Sequence, residues 1–142
     1  MRMIYSEFLA ALTDCPFCAT SHRVVAENEY AFLTYAIAPY RPDHLLVIPK
    51  QHIEHVLELS KAITDDLDSL QRAGLRMLNK LGHENVTLLV REGMGSGKSI
   101  PHLHYHLIPD ILLGDTERNG KERSVLADDE IDSLVFRLMS AL

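Results

Sequence analysis

Apolar residues along the chain fall into two rhythms. Between Lys61 and Leu81, the positions Ile63, Leu67, Leu70, Met77, Leu78 and Leu81 recur at helical spacing, and Gly82 closes the run. The tail from Asp128 to Leu142 repeats the rhythm with Ile131, Leu134, Val135, Leu138, Met139 and Leu142 on one stripe, Asp128 or Asp129 serving as N-cap. A shorter helix is predicted over Ser6 to Leu12. Elsewhere the pattern is that of strands: RVVAE (Arg23 to Glu27) and YAFLTY (Tyr30 to Tyr35) form a hairpin around Asn28-Glu29. The segment from Ala36 to Asp43 carries Pro39 and Pro42 and is a loop. HLLVI, from His44 to Ile48, is nearly all apolar and predicts a central strand that stops at Pro49. VTLLVR (Val86 to Arg91) is a fourth strand, and Leu103, Tyr105 and Leu107 mark the apolar face of a fifth. These elements make the fold class α+β: about five mostly antiparallel strands, one long helix and a C-terminal helix. Residues 1–142 are expected to form a single domain, with the helix over 128–142 packing on the domain or on a second subunit.

Length and charge narrow the partners. A chain of 142 residues has the size of one domain and can bury a real core. Its formal net charge of −6 argues against a nucleic-acid partner but leaves room for a small anionic ligand in a local site. No run approaches the length of a membrane span, and Glu7 interrupts the apolar N-terminal stretch, so neither a membrane segment nor a signal peptide is expected and the protein is read as cytoplasmic.

Residues 93–106, GMGSGKSIPHLHYH, hold the chemistry. Gly97-Lys98-Ser99 resembles the end of a P-loop, but the glycine that motif requires falls on Glu92, and the residues after Ser99 are strand-like rather than helical. A nucleotide-hydrolysing P-loop is therefore rejected. The glycine-rich loop can still offer backbone N–H groups to an anion. The two cysteines, Cys15 and Cys18, stand in Cys-Pro-Phe-Cys. Such a pair is redox-active, half of a metal site or two inert thiols; no βαβ pattern nearby supports the first, and the second needs two more ligands, for which histidines are candidates.

On a strand, His102, His104 and His106 share one face. Three imidazoles there are improbable as core packing, because each ring needs hydrogen-bond partners. Neither do they form one metal centre. Same-face neighbours stand about 6.6 Å apart, whereas zinc ligands lie about 2 Å from the ion, so at least one histidine has a separate role.

The run His102-Leu-His104-Tyr-His106-Leu-Ile resembles the histidine triad (HIT) signature of alternating His and apolar residues. RPDHLLVIPKQH (Arg41 to His52), the long helix and the glycine-rich loop stand in the order found in that family, so the resemblance covers roughly residues 15–110. It implies an α+β fold with an antiparallel sheet, often homodimeric, and nucleotidyl hydrolase or transferase activity on a nucleotide conjugate. The middle histidine, His104, matches the nucleophile, a role suited to neutral imidazole near pH 7. His106 matches a second catalytic residue beside the phosphate; Gly97 and Ser99 match phosphate contacts, and His44 a histidine lining the same site. One branch of the family binds zinc through a Cys-x-x-Cys. By resemblance its ligands here are Cys15, Cys18, His52 and His102, a closed set for one structural zinc per chain.

Three positions depart from the family pattern: Ala36 replaces an Asp or Asn that contacts ribose, Arg91 an Asn or Gln, and Lys98 a Gln. If Arg91 and Lys98 face the phosphates, they favour a dinucleoside polyphosphate over a less charged nucleoside phosphoramidate. His22, His55 and His83 have no matched role and are read as surface or loop residues. The alternative to an enzyme is a nucleotide-binding module with little catalysis.

Overall fold

The computed structural model describes residues 3–19, 23–112 and 124–142. Five strands, β1 (Val24–Glu27), β2 (Ala31–Tyr35), β3 (Leu45–Pro49), β4 (Val86–Val90) and β5 (Tyr105–Pro109), form one antiparallel sheet in the order β1-β2-β3-β5-β4. Among the described residues, the α-helices are α1 (Tyr5–Ala11), α2 (Lys61–Lys80) and α3 (Asp128–Met139). The class is α+β, as the periodicity predicts, and the apolar run at His44 to Ile48 does supply the middle strand. Pro49 is its last residue; with no N–H, it cannot extend the ladder.

Alternation along β2, β3 and β5 divides the core in two. Leu33, Val47 and Leu107, each fully buried, face α2, which turns Ile63, Leu67, Leu70 and Leu78 toward them. Burial of each such side chain contributes about 1.5–3 kcal/mol. Gly74 lets α2 approach closely: a Cβ there would lie 3.3 Å from Leu33 Cδ1 and 3.4 Å from Leu107 Cδ2. Ser60 caps the helix by accepting from the Ile63 N–H at 3.3 Å. Leu81, counted in the apolar stripe, is instead exposed because the helix stops at Lys80. The other sheet face carries Phe32, Leu46 and Ile48, packed with Phe17 and Ile100. His44 and His106 lie on that face, since they alternate with the α2-facing residues.

Two sequence expectations change in detail. The last strand begins at Tyr105, so His102 and His104 precede it rather than share its ladder. Pro101 has no N–H to give, the Leu103 N–H donates to the Ile53 carbonyl at 2.7 Å, and the His102 carbonyl is taken by the His104 ring at 2.8 Å. The N-cap of α3 is Ala127, whose N–H donates to Glu130 at 2.9 Å; Asp128 and Asp129 fall in the first turn, where their charge favours the helix dipole.

The chain divides into two compact units, Met1–Leu112 and Leu113–Leu142. The first contains the whole sheet and α2; the second contains α3. Among the described residues, no helix is long and apolar enough to cross a membrane.

Candidate functional site

Two clusters assemble on the sheet face opposite α2. In the first, the ligand atoms of Cys15, Cys18, His52 and His102 all lie within 4.8 Å of one another. Cys15 Sγ is 3.4 Å and Cys18 Sγ 3.6 Å from His102 Nδ1, and Cys18 Sγ is 3.3 Å from His52 Nδ1. The sulfur-to-nitrogen edge of a zinc tetrahedron, from its ligand distances, is about 3.6 Å. His102 is turned for the purpose: Nε2 donates to the Pro49 carbonyl at 2.7 Å, which leaves the Nδ1 lone pair toward the thiols. The four side chains can hold a metal ion.

The second cluster is a chain of imidazoles whose tautomers are set by their partners. A backbone N–H can only donate, so Tyr40 N, 3.2 Å from His44 Nδ1, makes that nitrogen an acceptor. His44 therefore carries its proton on Nε2 and donates to His106 Nδ1 at 3.0 Å. His106 in turn is left with an Nε2–H donor. His104 has the opposite arrangement. Its Nδ1–H donates to the His102 carbonyl, and the free lone pair is on Nε2. The His104 and His106 rings stand 4.8 Å apart between centroids, and Phe17 meets the His104 ring edge-on at 5.1 Å.

These three histidines line an open cavity of about 200 Å³. Tyr5 and Ser99 add polar groups, their hydroxyl oxygens 2.9 Å apart, while Phe17, Ala36, Ile37, Ala38, Tyr40 and Leu46 form the remaining wall. The cavity thus pairs a polar, histidine-rich end with an apolar, aromatic one, as small-ligand sites commonly do.

Burial keeps the rings neutral. His44 is lowered from 6.5 to about 4, first by burial and then by His104; His106 is lowered to about 3 by burial, then by His104, His44 and Arg91. His104 is also lowered, chiefly by burial, with Lys98 and Arg91 adding to the effect and the bond to the His102 carbonyl opposing it. The unfolded chain takes up protons near 6.5 that these folded rings refuse, so stability falls as pH drops below 6.5 toward the lowered values. Between pH 7 and pH 5, His44 and His106 are each expected to remove roughly 2 kcal/mol, read as a lower urea midpoint at pH 5. Equal midpoints would contradict neutral burial.

The loop before the triad contains a short 3₁₀ turn, Met94–Ser96, followed by Gly97 at φ 93°. The next element is the strand β5 rather than a helix, so its context is not that of a P-loop. A Cβ on Gly97 would lie 2.8 Å from Arg91 Nη1, the atom that donates to the Ser96 carbonyl at 2.8 Å. Lys98 is buried and donates from Nζ to the Glu54 carbonyl at 2.6 Å. Arg91 and Lys98 thus each direct one hydrogen bond at the main chain, and neither is among the residues that line the cavity, although their charge reaches the histidines. Gly97→Ala adds a left-handed strain of about 1–2 kcal/mol and displaces Arg91. It is expected to lower the melting temperature by roughly 5 °C, and an unchanged melting temperature would show that the loop accommodates a side chain.

The HIT domain family's profile matches residues 19–111, most of the chain. The chain belongs to the HIT family. An uncharacterized HIT-like protein of Chlamydia muridarum is 39% identical over 118 residues, covering 80% of this chain and 86% of its own length. A bis(5'-adenosyl)-triphosphatase of Dictyostelium discoideum is 27% identical over 119 residues, covering 77% and 80% of the two chains. A HIT family hydrolase from Clostridium thermocellum superposes with a TM-score of 0.59 at 29% identity, covering 73% of this chain and 96% of that one.

In this HIT protein the structure also shows residues that the motif does not mark. Tyr5, Phe17 and Tyr40 line the cavity, and the Pro49 and His102 carbonyls set ring tautomers. The cavity lining has no short sequence signal, because it draws on residues from 5 to 106. His55 is exposed and pairs with Glu92 at 3.1 Å, whereas His22 lies outside the described residues. His83, read from sequence as a surface or loop residue, is bonded on both ring nitrogens.

Proposed function

We propose that this HIT protein is a nucleotidyl hydrolase or transferase acting at the α-phosphate of a dinucleoside polyphosphate or nucleoside phosphoramidate, through a covalent intermediate on His104. The observation that carries the reading is the opposed tautomers of His104 and His106 in one cavity, a nitrogen lone pair beside an N–H donor. Nε2 of His104 attacks phosphorus, its P–N bond forms as the bond to the leaving group breaks, and the leaving group departs with the electron pair and is protonated. The ring then carries a positive charge, and its Nδ1–H strengthens the bond to the His102 carbonyl. Water attacks phosphorus next, the P–N bond breaks, and its electron pair returns to Nε2. The products are a nucleoside monophosphate and a proton.

His106, with Nδ1 filled by His44, offers Nε2–H to the phosphoryl oxygens, and Ser99 offers its hydroxyl. Such preset donors are the main source of rate in phosphoryl transfer. The base is assigned to the apolar wall of Phe17, Ile37, Ala38 and Leu46. Cys15, Cys18, His52 and His102 would hold zinc as four protein ligands, and the ion would then supply structure rather than chemistry. The activity named for the Dictyostelium relative, a bis(5'-adenosyl)-triphosphatase, supports the substrate class. The test is a panel of adenylylated and guanylylated polyphosphates and phosphoramidates, with products separated by chromatography. Nucleoside monophosphate from at least one conjugate is expected; none from any would overturn the proposal.

A further inference from the structure

His83 stands outside the cavity, between two carboxylates: Nε2 is 2.7 Å from Asp43 Oδ2, and Nδ1 is 2.7 Å from Asp110 Oδ2. A neutral imidazole has one N–H, so a ring bonded at both nitrogens to carboxylates is an imidazolium. The two aspartates are unusual in the same way. Asp43 has φ 67° and Asp110 φ 56°, the left-handed region that Asp tolerates but does not prefer. Arg41 adds a third tie, donating to the Asp110 carbonyl from Nη2 at 2.8 Å and from Nε at 3.1 Å. Together these bonds clamp the loop before β3 to the end of β5.

Those are the segments that carry the histidine relay. Asp43 immediately precedes His44, and Asp110 comes directly after the strand that holds His106. The pair Leu45↔Leu107 lies next to the clamp and Leu46↔His106 is the following one. Within the loop, the Asp43 N–H donates to Tyr35 Oη at 2.7 Å, His44 N to the Arg41 carbonyl at 3.2 Å, and Tyr40 N to His44 Nδ1 at 3.2 Å. The turn that points His44 Nε2–H at His106 thus depends on the loop that Asp43 anchors.

We propose that His83, as an imidazolium bridging Asp43 and Asp110, is a positioning residue that holds the His44–His106 hydrogen bond in register. This rests on the reading of His106 as a phosphate donor. The charged groups facing the ring are Asp43 from the loop and Asp110 from the end of β5, with Arg41 on the Asp110 carbonyl. The bonds to Asp43 and then Asp110 raise His83 above its ordinary 6.5, partly offset by burial. The clamp is therefore complete below 6.5 and is lost as pH rises through the raised value. His44 and His106 are already neutral in that range, so neither of them supplies the alkaline limb that loss of the clamp predicts.

The experiment compares wild type with His83→Gln, His83→Lys and Asp110→Asn, none of which touches the cavity. Nitrogen-detected imidazole NMR is expected to find both His83 nitrogens protonated at pH 7 in wild type. In His83→Gln, the His44 Nε2–H signal should exchange faster, and kcat for an adenylylated conjugate should fall roughly ten- to hundredfold with KM little changed. His83→Lys retains a cation up to about pH 10 and should recover rate while moving the alkaline limb upward. Asp110→Asn keeps the left-handed backbone and should lower the His83 titration, so it replaces His83→Gln if that variant does not fold. A His83 that titrates at or below 6.5 in wild type, or variants with the wild-type rate and alkaline limb, would overturn the proposal. If wild type releases no nucleotide, the proposed reaction fails, and the His44 and His83 signals still decide the clamp.

Discussion

His104→Asn is expected to bind nucleoside monophosphate as wild type does and to turn over conjugates at least about 10²-fold more slowly. The substitution separates the two nitrogens of the ring. An asparagine amide occupies the place of Nδ1 and can still donate to the His102 carbonyl, where the imidazole now donates at 2.8 Å. It has nothing at the place of Nε2. The donors of His106 and Ser99 and the apolar wall remain, so ground-state binding persists while the nucleophile is gone. Acid quenching with a substrate labelled at the α-phosphate should leave label on wild-type protein and none on the variant. Turnover within a few-fold of wild type would sink the covalent mechanism and favour a cavity that only binds.

The second large effect concerns the thiols. Purified protein is expected to carry one zinc per chain, and Cys15→Ser to lose it together with roughly 3 kcal/mol or more of stability, about 10 °C in melting temperature. The loss comes from joining distant segments: Cys15 and Cys18 come from the N-terminal stretch, His52 lies just beyond β3, and His102 precedes β5. Free of metal, His102 keeps its bond to the Pro49 carbonyl. The His102 carbonyl, on which His104 depends, therefore stays roughly in place, and rate measured well below the melting temperature should fall less than stability does. Metal analysis showing no zinc, with Cys15 and Cys18 both reactive toward thiol reagents in the native state, would reject the site.

Much of the fold and part of the site are legible in the sequence. Periodicity marks α2 because its buried side chains recur every three to four residues, and β3 because it is covered on both faces. The triad spacing shows that three imidazoles cannot serve one ion, and His102 does sit with the thiols while His104 and His106 face the cavity. Alternation places the start of the last strand too early, because it continues through His102 to His104, while the ladder depends on carbonyl and N–H partners that alternation does not encode.

What the sequence by itself determined is which residue types recur on which element: a mostly antiparallel sheet, a long helix with one apolar stripe, and candidate histidines and thiols whose partners it leaves open. Only the tertiary structure decided what each polar group does. A ring tautomer is set by the partner of its other nitrogen, and those partners are distant: His102 uses a carbonyl 53 residues away and His106 a ring 62 residues away. Sequence makes Arg91 and Lys98 candidates to face the phosphates, and folding brings one donor of each to a main-chain carbonyl, Ser96 and Glu54. His83 became an imidazolium because folding brings it two aspartates, 40 and 27 residues away. Side-chain periodicity is local, whereas the hydrogen bonds that fix protonation are made between segments that meet only in the folded chain.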